Sequence, residues 1–439
     1  MKKNKKSISL ILLTISAFFL FYTFYESEIK YEGKEHSYYI KYYLICSVLI
    51  ACSVVSFFLK KKTIINILVL FFALLFALYL INGYLTFNKK RINYDNRTKF
   101  QLYQDLKKFE NNIAVSMYPQ SHGGDDNYPL YSLSSRSNKK TIHCNENGYF
   151  SIHHTDRYGF NNPDFEWEKN KIEFLLVGDS FTHGACVNET DTISGNLRKM
   201  IDNGGVLNLG YSGNGPLTEY ATLREYLPLK KINRVLWIYS ERNDLSDLMH
   251  ELEDKTLLNY LNDRTFTQRL HLRQNEIDKK LEKIFDTSVK EELKRKYRGK
   301  IISFIRLYNL RNFIKIRLIK PTLNMKIPNK ILKKFSEIIY LSKILSDNNE
   351  VKLYFVYLPD YFKYNNKSSQ NNEFKKYKDV ITIINKLNIP IIDINKDLME
   401  EYPDPLALFP FRSFNHYNEL GYKLISKTIL KKIIEYEKN

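Results

Sequence analysis

Cysteine is scarce in this chain, with four among 439 residues. Two of them, Cys46 and Cys52, fall inside an apolar run, so Cys144 and Cys186 are the one pair that a folded domain could bridge. A disulfide there would suit an oxidising compartment; two buried thiols are the plainer reading. Zinc-ligand spacing is missing as well. His143, Cys144, His153 and His154 crowd together, but no second Cys or His pair completes a four-ligand set, so they read as surface or turn histidines. No metal and no cofactor is expected. There is also no basic block interleaved with aromatics, which argues against nucleic acid as a partner. Lys and Arg still exceed Asp and Glu, 67 to 48, for a formal +19. Abundant Lys, Asn, Ile and Tyr make this a composition bias first, and an attraction to anionic lipid or acidic glycan second.

Apolar sequence is plentiful, at 44% hydrophobic and 14% aromatic residues, so a packed interior is expected. Three runs, Ser7 to Tyr25, Tyr42 to Leu59 and Thr63 to Phe87, approach the length of a membrane-crossing helix. The first follows Lys2, Lys3, Lys5 and Lys6 and has no small-residue cleavage site, so it reads as an anchor rather than a removed signal. Lys60 to Lys62 lie between the second and third runs, whereas the loop from Glu26 to Lys41 carries Glu26, Glu28, Glu32 and Glu35. The positive-inside rule then puts the N-terminus and the lysine hairpin in the cytoplasm. Three spans send the remainder to the extracytoplasmic side, although Lys89, Lys90 and Arg91 reduce the charge asymmetry.

Residues 1–87 thus form a three-helix membrane anchor. Residues 88–171 read as a linker helix and an irregular lead-in, with turn-rich stretches at Ser121–Asp126 and Tyr158–Pro163. From 172 to 439, short apolar runs at Ile172–Val177, Val206–Leu209, Arg234–Tyr239, Val351–Leu358 and Ile389–Ile394 alternate with helical segments. Those segments are Ile193–Ile201, Leu217–Leu227, Phe374–Leu387 and Glu419–Glu435. Such alternation predicts an α/β domain with a doubly wound parallel sheet and ligands at the carboxyl ends of its strands. Between about 245 and 350 no strand is evident, and the Lys- and Leu-rich sequence reads as a helical insertion. Within it Ile301 to Ile319, punctuated by Arg306, Arg311, Lys315 and Arg317, reads as a packed helix with snorkelling basic residues before a membrane-surface one.

Four blocks carry the chemistry. Phe174 to Val177 leads into Gly178-Asp179-Ser180-Phe181-Thr182, a strand ending in a tight turn that presents a serine. Val206 to Asn214 is a strand followed by a glycine loop, and Trp237 to Asp244 is a strand ending on Asn243 and Asp244. Ser413-Phe414-Asn415-His416 precedes the last helical segment. In this order the blocks resemble the SGNH, or GDSL-like, hydrolases. The resemblance implies Ser180 as nucleophile, His416 as its base, and the amides of Ser180 and Gly213 with the Asn243 side chain as oxyanion donors. His183, close to Ser180 along one turn, should diverge from the hydroxyl. Taken singly, Ser180 or Asn243 reads as a helix cap, Gly213 as a turn glycine and His416 as a core or capping histidine; the shared order across the sheet disfavours four coincidences.

The chain departs from the resemblance where an Asp usually stands three residues before the histidine; here it is Ser413. Ser413, a backbone carbonyl, Asp393 or Asp404 is left to orient the ring, and an orienting Asp can be worth about ten-thousandfold in turnover. Glu241-Arg242 likewise replaces the small residues expected before Asn243. The resemblance implies an esterase or O-acyltransferase acting on an acylated envelope glycan or lipid-linked saccharide. A transferase would need a membrane acyl-donor partner protein, because three spans are too few to carry the donor across. The rival reading is a non-catalytic glycan-binding or assembly component, favoured by Ser413.

Overall fold

The computed structural model describes residues 2–31, 33, 36–87, 94–117, 130–313, 327–365 and 375–438. Glu32, Glu35, Lys89 to Arg91, the Ser121–Asp126 stretch, residues 314–319 and Phe374 lie outside them. The chain divides into two compact units: Met1–Lys90 with Arg295–Asn324, and Arg91–Lys294 with Met325–Asn439.

In the first unit the three apolar runs form helices Lys2–Phe24, His36–Ser56 and Lys61–Phe87. Each contains a stretch long and apolar enough to cross a membrane. Phe18, Val48, Leu70 and Phe76 are exposed along them, an outward apolar surface that water does not favour. Ser16 and Ser53 join the first two helices through their hydroxyls at 2.9 Å, a small polar contact of the kind that lets helices approach closely in lipid. The helix that ends at Ile305 restarts at Tyr308, with Leu307 at φ 52° between them. Asn82, fully buried on the third helix, answers that break by accepting from the Leu310 amide at 3.1 Å. Tyr79 donates to the Ile305 carbonyl at 2.8 Å. The described part of the Ile301 stretch therefore packs on the third helix.

After the helix Lys99–Leu106, the second unit forms a small sheet where the sequence predicts an irregular lead-in. Strands β1 (Ile113–Val115), β2 (Lys140–Ile142) and β3 (Ile152–His154) pair parallel and then antiparallel. The main sheet contains β4 (Lys171–Gly178), β5 (Gly205–Asn208), β6 (Lys231–Ser240), β7 (Lys352–Leu358) and β8 (Ile391–Asp393). Its order is β5-β4-β6-β7-β8 and every pair is parallel, so the fold is a doubly wound α/β sheet.

Alternation along the strands builds two cores. Leu175, Val177, Val235, Trp237 and Phe355 face one side, where Leu217, Phe335 and Ile384 from three helices cover them. Phe174, Leu176, Leu236, Ile238 and Val356 face the other, against Ile193, Leu197, Tyr422 and Ile429. Burial of each such side chain contributes about 1.5–3 kcal/mol, and continuous apolar strands are what a sheet covered on both faces requires. The helices covering the sheet run Ile193–Met200, Pro216–Tyr226, Asn329–Asn348, Lys375–Lys386 and Glu419–Lys438.

Candidate active site

β4 ends at Gly178, and the next turn lifts Ser180 to the carboxyl edge of the sheet, at the start of the short helix Ser180–His183. Asp179 shapes this turn by accepting from the Phe181 amide at 2.8 Å. Gly178 has φ 157°, and a Cβ there would stand 2.0 Å from Thr182 Oγ1 and 2.6 Å from the Ile238 carbonyl. Only glycine lets β4, β6 and the new helix come this close.

The last helix begins at Glu419, and the loop before it carries His416 back over Ser180. His416 Nε2 lies 2.8 Å from Ser180 Oγ. Its other nitrogen, Nδ1, lies 3.0 Å from Glu146 Oε2, and the same oxygen accepts from the His416 amide at 2.7 Å. Serine, imidazole and carboxylate thus form one hydrogen-bonded chain drawn from three distant parts of the sequence. Burial pushes the Glu146 carboxyl up, but the His416 hydrogen bond and charge, with Arg242 nearby, outweigh it and hold the group below the usual range. It stays ionised at neutral pH.

Glu146 was not foreseen, and the positions weighed for orienting the ring lie elsewhere. Ser413 is exposed and donates to the Phe411 carbonyl at 3.1 Å. Asp404 pairs with Arg412, and Asp393 accepts from Tyr377 and from the Asn395 amide. None of the three side chains has His416 as its partner. The one local hint was a carboxylate two residues after Cys144. Cys144 is disulfide-bonded to Cys186, contrary to the two-thiol reading. The bridge ties the Glu146 loop to the turn that follows Ser180, and Asn147 reinforces it by donating to the Cys186 carbonyl at 2.9 Å.

Gly213 and Asn243 reach the same edge from β5 and β6, and with Ser180, His416 and Glu146 they line a cavity of about 530 Å³. Gly213 has φ 91°, a left-handed conformation that glycine adopts without a Cβ penalty. Asn243 is held on both ends: its carbonyl accepts from Ser240 at 3.1 Å and its amide donates to Asp247. Asp247, at the cavity wall, is pushed up to about 8 by burial, with the charges of Glu251 and Asp179 adding to the effect. The unexpected Arg242 also has work here. It donates to Asp360 at 2.9 Å and to the Asn415 carbonyl at 2.7 Å, and its guanidinium lies 4.1 Å from the centre of the Phe414 ring. The arginine at the end of β6 thereby fastens the loop that carries His416.

No family model and no curated protein matches the chain. Among solved structures, a lipolytic protein of the G-D-S-L family from Desulfitobacterium hafniense aligns over 60% of this chain and 99% of its own, at 15% identity and TM-score 0.33. A lipase/acylhydrolase from Enterococcus faecalis aligns over 60% and 95%, at 14% identity and TM-score 0.34. An acetylxylan esterase from Geobacillus stearothermophilus aligns over 60% and 94%, at 14% identity and TM-score 0.32.

His183 does diverge from the Ser180 hydroxyl. It is buried with Nδ1 3.0 Å from Ser212 Oγ, and its ring stacks on Tyr211. Of the histidines read as surface or turn residues, His154 is exposed, but His143 and His153 are buried against His183.

Proposed function

We propose that this protein is a membrane-anchored serine ester hydrolase or O-acyltransferase whose substrate is an acylated glycan or lipid-linked saccharide of the cell envelope. The observation that carries the reading is the hydrogen-bonded chain from Ser180 through His416 to Glu146. Ser180 Oγ attacks the acyl carbonyl while His416 Nε2 takes its proton, and Glu146 fixes the ring tautomer and stabilises the imidazolium. The amides of Ser180 and Gly213 and the Asn243 carboxamide receive the developing oxyanion. His416 then protonates the departing alcohol, leaving an acyl-serine. Water as the second nucleophile gives an esterase; a sugar hydroxyl gives a transferase, which would draw its acyl group from a membrane partner protein.

Polar groups at the cavity wall, Lys99, Ser116, Asn145 and Asp247 among them, suit a short acyl group on a hydroxyl-rich carrier. Residues 1–87 serve as the anchor. The Cys144–Cys186 disulfide supports an oxidising compartment for the acting domain, in line with the lysine-flanked hairpin on the cytoplasmic side. A non-catalytic glycan-binding role is favoured by Ser413, whereas the Glu146 carboxylate on His416 supports the enzyme reading.

The full chain in detergent should hydrolyse an aryl acetate and take up a fluorophosphonate probe at Ser180. Equal hydrolysis by wild type and Ser180→Ala would sink the enzyme reading. Transfer of acetyl to an added oligosaccharide then separates transferase from esterase.

A further inference from the structure

Beside the Gly213 loop, three buried imidazoles meet that the acyl chemistry does not use, and one of them, His143, lines the catalytic cavity with Ser212. His143 follows β2, His153 lies in β3, and His183 closes the helix that begins at Ser180. The ring centres of His143 and His183 are 4.4 Å apart, those of His153 and His183 5.2 Å, and those of His143 and His153 5.8 Å. One nitrogen from each ring lies within 4.8 Å of the other two. Hydrogen bonding accounts for only part of the cluster. Ser212 Oγ sits between His143 Nε2 and His183 Nδ1, 3.0 Å from each. Among the described residues the His153 ring meets the other two rings and makes no side-chain hydrogen bond.

We infer that His143, His153 and His183 form a binding site for a transition-metal dication of the zinc class, with the Ser212 hydroxyl as the oxygen donor nearest to hand. Three imidazoles and an oxygen suit zinc and its neighbours and disfavour calcium or magnesium, which take oxygen ligands. Metal-to-nitrogen bonds of about 2.1 Å in a tetrahedral site put ligand nitrogens about 3.4 Å apart, so the rings need to close in by roughly 1 Å. A neutral imidazole offers one lone pair; that of His183 Nδ1 accepts from the Ser212 amide at 3.3 Å, a bond that coordination through this nitrogen would replace. A bound ion would link the lead-in sheet to the Ser180 helix and fix Ser212, the neighbour of Gly213.

The test uses the full chain in detergent, stripped with a chelator, dialysed against excess zinc chloride and assayed by elemental mass spectrometry. One zinc per chain is expected for wild type and for Ser180→Ala, with loss in His153→Ala and in His183→Ala. Zinc should raise the unfolding temperature of the wild type and leave that of His153→Gln, which keeps the volume, unmoved. Cobalt should give the intense visible absorption of a tetrahedral nitrogen and oxygen site in the wild type and not in His153→Gln. A stripped wild type that takes up no zinc and shows no thermal shift overturns the inference, as does full occupancy in His153→Gln.

Discussion

Glu146 holds His416 twice with one oxygen, Oε2, which accepts from the ring at Nδ1 and from the backbone amide. A carboxylate that grips ring and main chain together fixes both the tautomer and the loop. Ser413 stands where the sequence resemblance expects an aspartate, and Glu146 reaches the ring from the lead-in instead.

Replacing Glu146 with Gln should therefore lower kcat on an aryl acetate by about 10²- to 10⁴-fold, the range seen when an orienting carboxylate is removed. Ser413→Ala should leave it unchanged. A large loss from Ser413→Ala, with Glu146→Gln active, would reverse the assignment.

The Cys144–Cys186 bridge closes a separation of 42 residues, and chain entropy makes such a bridge worth about 4 kcal/mol against the unfolded state. Cys144→Ser with Cys186→Ser should lower the unfolding midpoint accordingly. Turnover should fall in the surviving folded fraction as well, because the Glu146 loop loses its tie to the Ser180 turn. Denaturant unfolding paired with active-site titration separates the two effects; unaltered turnover per titrated site would show that the loop holds by itself.

Arg242 spans Asp360 and the Asn415 carbonyl with two of its nitrogens. Arg242→Ala frees the loop bearing His416, and misplacement by about 1 Å can cost on the order of 10²-fold in rate. Lysine lacks the planar fork, so Arg242→Lys should recover little. The readout is kcat, with KM changing less; a fully active Arg242→Lys would contradict the argument.

Asp247 makes stability depend on pH in a defined direction. Its folded-state value, pushed up to about 8 by burial, lies above that of the unfolded chain. The native state therefore binds the proton more tightly, and stability present at low pH is lost as pH rises through about 8. Thermal unfolding from pH 5 to 9 should show this decline, and Asp247→Asn, which has no proton to lose, should flatten it. An equal slope in both proteins would place the titration on other groups.

The strands of the main sheet were legible because each is a short, nearly unbroken apolar run, as burial on both faces demands: Ile172–Val177 became Lys171–Gly178 and Arg234–Tyr239 became Lys231–Ser240. Ser180, Gly213, Asn243 and His416 were legible through the resemblance of their four blocks to the SGNH hydrolases, and the structure brings all four to one cavity. The lead-in was opaque for the opposite reason. β1 to β3 are three residues each, too short for a period of two to stand out from turns. Beyond the nearness of Glu146 to Cys144, Glu146 and the buried histidines carry no local pattern.

By itself the sequence determined what local chemistry can encode: three apolar helices, a parallel α/β sheet, and a serine and a histidine at element ends. Only the tertiary structure decided which carboxylate meets His416, that Cys144 and Cys186 are bonded, and that three histidines gather beside Ser212. Those outcomes depend on contacts between segments far apart in the chain, and residue spacing carries no record of which distant surfaces will touch.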